Sequence, residues 1–326
     1  MGRYFIYGAG AVGALIGARL HWAGHDVTMI ARGAHLEAMR RDGLTIVTPR
    51  ERHVVRVPLA ADLSEVAIGA DDIVLLGMKV QDAALILDEL ALVAHPRAAI
   101  VCAQNGIEGE RLALRRFRNV YGIHIYCNAV MTEPGVARSY TGDCWAILDI
   151  GRYPAGNDPR GKAIAADLTA AGFSSKADED IMYWKRTKLV LNTANASQAS
   201  CADREAAREF MALTMAEARS VLDAAGLSYA SMDEIQTRAK DLVMTPIDGE
   251  ISPGGSTFQS LARGNTTTEA DYLNGEIAMI GRMHGVPTPA NSALQALVRR
   301  MARDQAAPCS IPADEIRSLI AAEAGS

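Results

Sequence analysis

Between Tyr4 and Arg32 the chain reads as an apolar tetrapeptide (Tyr4-Phe5-Ile6-Tyr7), a glycine-rich turn (Gly8-Ala9-Gly10-Ala11-Val12-Gly13), small residues over a helical length, and a second apolar stretch ending at Arg32. Few structures satisfy that order. Gly8 permits a tight turn off a strand, Gly10 lets backbone approach a pyrophosphate, and Gly13 lets a helix pack closely on a sheet. The helix N-terminus then presents unpaired N–H groups to phosphate oxygens. A bare GxGxxG carries little weight. Here strand, turn, helix and strand follow one another within about thirty residues, the context that gives the motif meaning. The segment predicts the opening of a dinucleotide-binding domain. A signal peptide or membrane span is excluded by the glycine spacing, the following Asp26–Ile30 strand, and the early interruption at Arg19 and His21.

The end of the second strand selects the dinucleotide. NAD sites place a carboxylate there for the ribose 2′-hydroxyl, whereas this chain has Ile30-Ala31-Arg32. A guanidinium binds a 2′-phosphate in forked, charge-assisted geometry. Hydrogen bonds to charged groups contribute about 1.5–3 kcal/mol, a preference of roughly ten- to a hundredfold. NADPH/NADP+ is therefore the expected cofactor, the alternative being that Arg32 is a solvated loop residue.

Downstream, short apolar runs alternate with helical ones. Ile73–Leu76 and Ala98–Ala103 read as strands buried on both faces, with a helix over Asp82–Val93 between them. The alternation predicts an α/β fold with a parallel, doubly wound sheet. Ligands in such folds sit beyond the carboxyl ends of the strands, where Lys79 and Asn105 fall. The plain alternatives are an exposed lysine and the turn former of an Asn-Gly pair. Val120–Ile150 is read as antiparallel strands extending that sheet.

Beyond Glu179 the pattern is helical, including runs over Ile181–Ala199, Arg204–Ala225, Tyr229–Leu242 and Thr268–Gly285. This divides the chain into an N-terminal domain over residues 1–178 and an all-helical domain over residues 179–326, with the ligand expected in a cleft between them. Five scattered cysteines without CxxC spacing suit a reducing cytoplasmic setting, and seven dispersed histidines give no metal-ligating pattern. A net charge of −5 gives no reason to expect nucleic acid or a membrane surface as partner. Apolar helical faces in the second half suit a homodimer.

Two segments of the helical half are chemically unusual. Lys188 and Asn192 lie one turn apart and share a helix face, unless the run from Trp184 to Lys188 is only a solvated basic turn. In Thr268-Glu269-Ala270-Asp271 the threonine is placed to cap a helix with Asp271 at the third position, a role that would leave Glu269 and Asp271 merely complementing the helix dipole.

Taken together, the glycine-rich turn, Arg32, Met78-Lys79, Gln104-Asn105-Gly106, Lys188-Leu189-Val190-Leu191-Asn192 and Thr268-Glu269-Ala270-Asp271-Tyr272-Leu273-Asn274-Gly275 resemble the ketopantoate reductase (2-dehydropantoate 2-reductase) family almost end to end. The resemblance implies a Rossmann-type domain followed by an all-helical one. It also implies NADPH-dependent reduction of 2-dehydropantoate to (R)-pantoate in pantothenate biosynthesis. It assigns the 2′-phosphate to Arg32, cofactor- and substrate-side contacts to Lys79 and Asn105, and catalysis to Lys188. Substrate contacts fall to Asn192 and Ser256, and orientation of the lysine or substrate to Glu269.

The substrate end departs from the family pattern. Ala196 stands where a second asparagine is usual, and Pro253 where an asparagine is often found. Asn195 lies only about 20° from Lys188 around a helix, but does not replace the missing contact. Sites that select by hydrogen bonding are sensitive to such losses. Reduction of another 2-oxo acid or related carbonyl compound, or an NADP(H)-binding regulatory protein without turnover, therefore stay open as alternatives.

Overall fold

The computed structural model describes residues 2–325; Met1 and Ser326, the outer ends of the two expected domains, lie outside the described residues. The strands are β1 (Tyr4–Tyr7), β2 (Val27–Ile30), β3 (Leu44–Val47), β4 (Arg52–Val55), β5 (Leu59–Ala60), β6 (Ile73–Leu76), β7 (Ala99–Cys102), β8 (Asn119–Tyr126), β9 (Ala129–Glu133), β10 (Val136–Ser139) and β11 (Ile147–Arg152). Helices α1 (Ala11–Trp22), α2 (Gly33–Asp42), α3 (Ala83–Val93), α4 (Glu108–Leu114) and α5 (Pro159–Ala170) punctuate them. There follow α6 (Ile181–Ser200), α7 (Arg204–Ala224), α8 (Met232–Ala239), α9 (Ser256–Ala262), α10 (Asn274–His284), α11 (Pro289–Arg303) and α12 (Ala313–Ala324). The fold is mixed α/β, Rossmann-type at its N-terminal end and helical toward its C-terminus.

Two compact units divide the chain. A sheet unit holds the chain up to Gln104, Glu108–Lys185 and Ser231–Ser252; a helical unit holds Asn105–Ile107, Arg186–Ala230 and the chain from Pro253 onward. The division falls inside α6, between Lys185 and Arg186.

In the sheet unit the strand order is β11-β8-β7-β6-β1-β2-β5. β1 pairs in parallel with β2 on one side and β6 on the other, so the chain reverses direction across the sheet at β1/β6. That reversal opens a crevice at the carboxyl ends of those strands, where such sheets bind ligands. β6 and β7 are buried along their whole length, as their continuous apolar sequence requires.

The segment Val120–Ile150 only partly extends this sheet. β8 joins in parallel to β7 and β11 pairs antiparallel with β8, but β9 and β10 leave to form a second sheet in the order β4-β3-β10-β9. The cause lies in α1, whose sequence has no polar face and which is buried from Gly13 to Ala18. A helix apolar all round needs cover on more than one side. Leu44 and Ile46 of β3, with Ala129 and Ala137 of β9 and β10, share one apolar cluster with Leu15, Ile16 and Leu20.

The helical unit is built on Ala196, Phe210, Leu261, Leu294, Leu297 and Met301. A buried polar lattice locks its helices. The Asn274 Nδ2 donates to Thr193 O (2.9 Å) and Asn291 Oδ1 (3.0 Å), and Asn291 Nδ2 donates to Glu217 Oε2 (2.8 Å). The continuous helix expected over Thr268–Gly285 is broken. A 3-10 turn spans Glu269–Tyr272, Leu273 departs from helical geometry (φ −118°, ψ −86°), and α10 begins at Asn274.

Candidate active site

In the sheet unit, Gly8, Ala9, Gly10, Ala11, Val12 and Gly13 form the turn from β1 into α1. Gly8 has φ +90°, and an added Cβ would meet Met78 N at 2.5 Å. A Cβ on Gly13 would strike the Gly8 carbonyl, whereas one on Gly10 meets nothing within 4 Å. The protein thus demands glycine at 8 and 13 for its own packing but not at 10. The space beside Gly10 is left open at the N-terminus of α1, which no side-chain cap closes. That arrangement fits a dinucleotide pyrophosphate.

Arg32 follows β2 as the residue preceding α2; it is exposed and, among the described residues, its side chain makes no hydrogen bond or ion pair. It stands close enough to Tyr7 to act on it: burial and Glu89 push that phenol up, and Arg32 pulls it down. Lys79 is half-buried just beyond β6, where its carbonyl accepts from Asp82 N (3.1 Å). Gly77, two residues earlier, cannot carry a side chain because a Cβ would meet Gly8 O at 2.8 Å. The ends of β1, β2 and β6 therefore bring together the glycine-rich turn, Arg32 and Lys79.

The helical unit holds Asn105, Lys188, Asn192, Ser256 and Glu269. Lys188 is half-buried on α6 and Asn192, one turn on, is 6% exposed. Among the described residues, the Asn192 Nδ2 has no hydrogen-bond partner. Buried donors are almost always paired, so an orphan of this kind asks for a ligand acceptor. Glu269 is buried at the start of the 3-10 turn. Asn105 is half-buried, and its neighbour Gly106 (φ +80°) backs onto that turn, where a Cβ would meet Tyr272 O at 2.8 Å. The turns carrying Asn105 and Glu269, distant in sequence, are thus packed together.

Ser256 opens α9, its carbonyl accepting from Ser260 Oγ (2.9 Å). The preceding Gly255 donates its N–H to Gln198 Oε1 (3.0 Å), and a Cβ there would meet Asn195 Oδ1 at 2.8 Å. Asn195 therefore braces the segment that leads into Ser256. Ala196 is 1% exposed within the apolar cluster of the helical unit, and Pro253 is exposed. The Thr268–Asp271 capping box does not form. Thr268 accepts instead from Ala270 N (3.4 Å), and Asp271 accepts from Gln295 Nε2 (2.7 Å).

One buried ion pair escaped the sequence reading. Lys185, at the start of α6, places its Nζ 2.8 Å from Glu110 Oε1, and donates to Gln104 O (2.9 Å) and Ile123 O (3.3 Å). The two side chains are 4% and 1% exposed. Burial pushes the Glu110 carboxyl above its ordinary range despite the opposing pull of Lys185.

The family described as Ketopantoate reductase PanE/ApbA matches residues 4–154, and the description Ketopantoate reductase PanE/ApbA C terminal matches residues 180–302. The 2-dehydropantoate 2-reductase of Mesorhizobium japonicum is 29% identical, covering 91% of this chain and 97% of that protein. A PanE/ApbA family ketopantoate reductase from Ralstonia eutropha JMP134 superposes with TM-score 0.77 at 29% identity, covering 94% of this chain and 99% of the other. D-mandelate dehydrogenase, solved in a ternary complex with NADH and anilino(oxo)acetate, has the same fold (TM-score 0.79, 21% identity, 94% and 99% covered).

Proposed function

Since this chain belongs to the ketopantoate reductase PanE/ApbA family, oxidoreductases acting on a keto/hydroxyl pair, we propose that it reduces 2-dehydropantoate to (R)-pantoate with NADPH. The observation that carries the substrate side of this reading is the orphaned Nδ2 of buried Asn192, one helical turn from Lys188. A 2-oxo acid offers carboxylate and carbonyl acceptors, and a buried donor without a partner gains most from such a ligand.

Gly8–Gly13 would hold the pyrophosphate of the cofactor, with Arg32 on its 2′-phosphate and Lys79 on the same side. NADPH, when bound, supplies the hydride. Reduction builds negative charge on the substrate's carbonyl oxygen, and Lys188 meets it as a cation that also donates a proton. Glu269, buried at the start of its turn, orients that ammonium or a substrate hydroxyl. Asn105, on the turn packed against Tyr272, aligns the reacting group; Asn192 and Ser256 hold the substrate's polar ends.

A second reading, the same chemistry on a different 2-oxo acid, is favoured by Ala196 and Pro253. Ala196 is sealed in the apolar cluster, so that position has no polar group to offer. Following NADPH oxidation with 2-dehydropantoate and a panel of other 2-oxo acids tests both. Turnover with 2-dehydropantoate at the highest kcat/KM supports the first reading, and a clear preference for another acid replaces it with the second. Tight NADPH binding with no turnover on any acid refutes both in favour of a regulatory protein.

A further inference from the structure

We propose that Lys185 is a positioning residue for the reaction, clamping the Gln104-Asn105-Gly106 turn so that Asn105 is held in its working place. The inference rests on the reductase reading above and adds a residue to it. Its ground is the set of contacts around one buried ammonium group. Lys185 Nζ donates to Gln104 O at 2.9 Å and to Ile123 O at 3.3 Å, and is ion-paired with Glu110 Oε1 at 2.8 Å. Buried and tied in this way, the ammonium is committed to the protein's own groups.

The clamp has been given room. A Cβ on Gly122 would meet Glu110 Oε1 at 2.9 Å and Lys185 Cδ at 3.2 Å, and one on Gly109 would meet Gln104 Oε1 at 2.8 Å. Two side chains are thus missing where the pair and the Gln104 side chain pass. The anchored carbonyl belongs to Gln104, one peptide unit before Asn105, and the peptide plane fixes the direction in which the chain leaves it. Glu110 and Ile123 tie the same nitrogen to α4 and β8, so the turn after β7 is referenced to three elements at once. Side chains that align reacting groups lose on the order of a hundredfold in rate when displaced by about 1 Å.

Lys185→Met alone leaves a carboxylate buried without its cation and is prone to misfold, so the deciding variant is Lys185→Met with Glu110→Met. Replacing a buried ion pair by apolar groups of similar volume is often neutral for stability. The double variant is expected to melt no lower than the parent and to bind NADPH with Kd within about threefold. Amide hydrogen exchange over residues 103–107 is expected to rise tenfold or more, and kcat to fall about a hundredfold. Unchanged exchange in that segment overturns the clamp. Faster exchange with parental kcat overturns the positioning role and leaves Lys185 a structural cation. If the parent itself turns over no 2-oxo acid, the reductase reading falls, while the exchange measurement still decides whether Lys185 holds the turn.

Discussion

Asn192 buries an amide donor that no group among the described residues accepts, and such a donor costs about 1–3 kcal/mol relative to a satisfied one. Asn192→Leu should therefore melt at the parent's temperature or above it, while KM for the 2-oxo acid rises about tenfold or more, 1.4 kcal/mol per decade. A lower melting temperature with unchanged KM would show that the amide serves the fold instead. Lys188→Ala should lose about 10²–10⁴ in kcat while NADPH binding persists; near-parental kcat would remove Lys188 from proton donation. Gly10→Ala separates ligand from fold, since its Cβ meets no protein atom within 4 Å. It should leave the melting temperature in place and weaken NADPH, whereas equal losses in both would deny Gly10 its pyrophosphate role. These residues were legible because each argument is local: a glycine spacing, or two polar residues one helical turn apart. Lys185 was not. Within Trp184–Lys188 it reads as part of a solvated basic turn, and only Glu110, from another part of the chain, makes its burial affordable in energy.

Elements add what no single residue shows. Gly106 leaves β7 in a left-handed conformation (φ +80°) and lies against the Tyr272 carbonyl, so the turn that carries Asn105 takes its place from the turn that carries Glu269. Left-handed backbone costs a residue with a Cβ about 1–2 kcal/mol. Gly106→Ala adds a contact at 2.8 Å with backbone that has little freedom to move. We expect a loss of about 2 kcal/mol in denaturant unfolding and a fall in kcat larger than any change in NADPH affinity. Parental kcat with that stability loss would uncouple the two turns. The parallel strands were readable from continuous apolar runs, because their burial is written into four consecutive residues. The second sheet was not, since β10 pairs with β3, far back in the chain, and carries β9 with it to cover the apolar body of α1. The break at Leu273 was hidden for a similar reason. Asn274 points inward to Thr193 and Asn291, partners that helical spacing does not reveal.

At the scale of the molecule, the sheet unit anchors charge in its interior. Asp72, Asp149 and Asp158 all lie in that unit, the first two buried and the third half-buried, against arginine or backbone donors. Burial alone would raise these carboxyls, but hydrogen bonds outweigh it and hold all three below the ordinary value of 3.8. A depressed folded-state pKa means that the unfolded chain binds more protons in the interval between the two values. The stability these groups contribute is therefore full above pH 3.8 and is lost as pH falls through their folded values. Asp149 is held down by His124 and by Arg238, whose Nε reaches Oδ2 at 2.7 Å and Nη2 reaches Oδ1 at 2.6 Å. Asp149→Asn should cost about 3 kcal/mol near neutrality by leaving the guanidinium without its anion. That difference should shrink as acid protonates Asp149 in the parent, because a neutral carboxyl then resembles the amide. All three tryptophans, Trp22, Trp145 and Trp184, belong to the sheet unit, so their fluorescence reports that unit selectively. Chemical unfolding followed by tryptophan emission in parent and variant, at intervals from neutral pH down to about pH 2, measures the gap directly. A gap that keeps its neutral-pH size throughout would mean that Asp149 is not the charged anchor of Arg238, and that α8 is held by its other contacts, the Arg238 bonds to Ser174 among them.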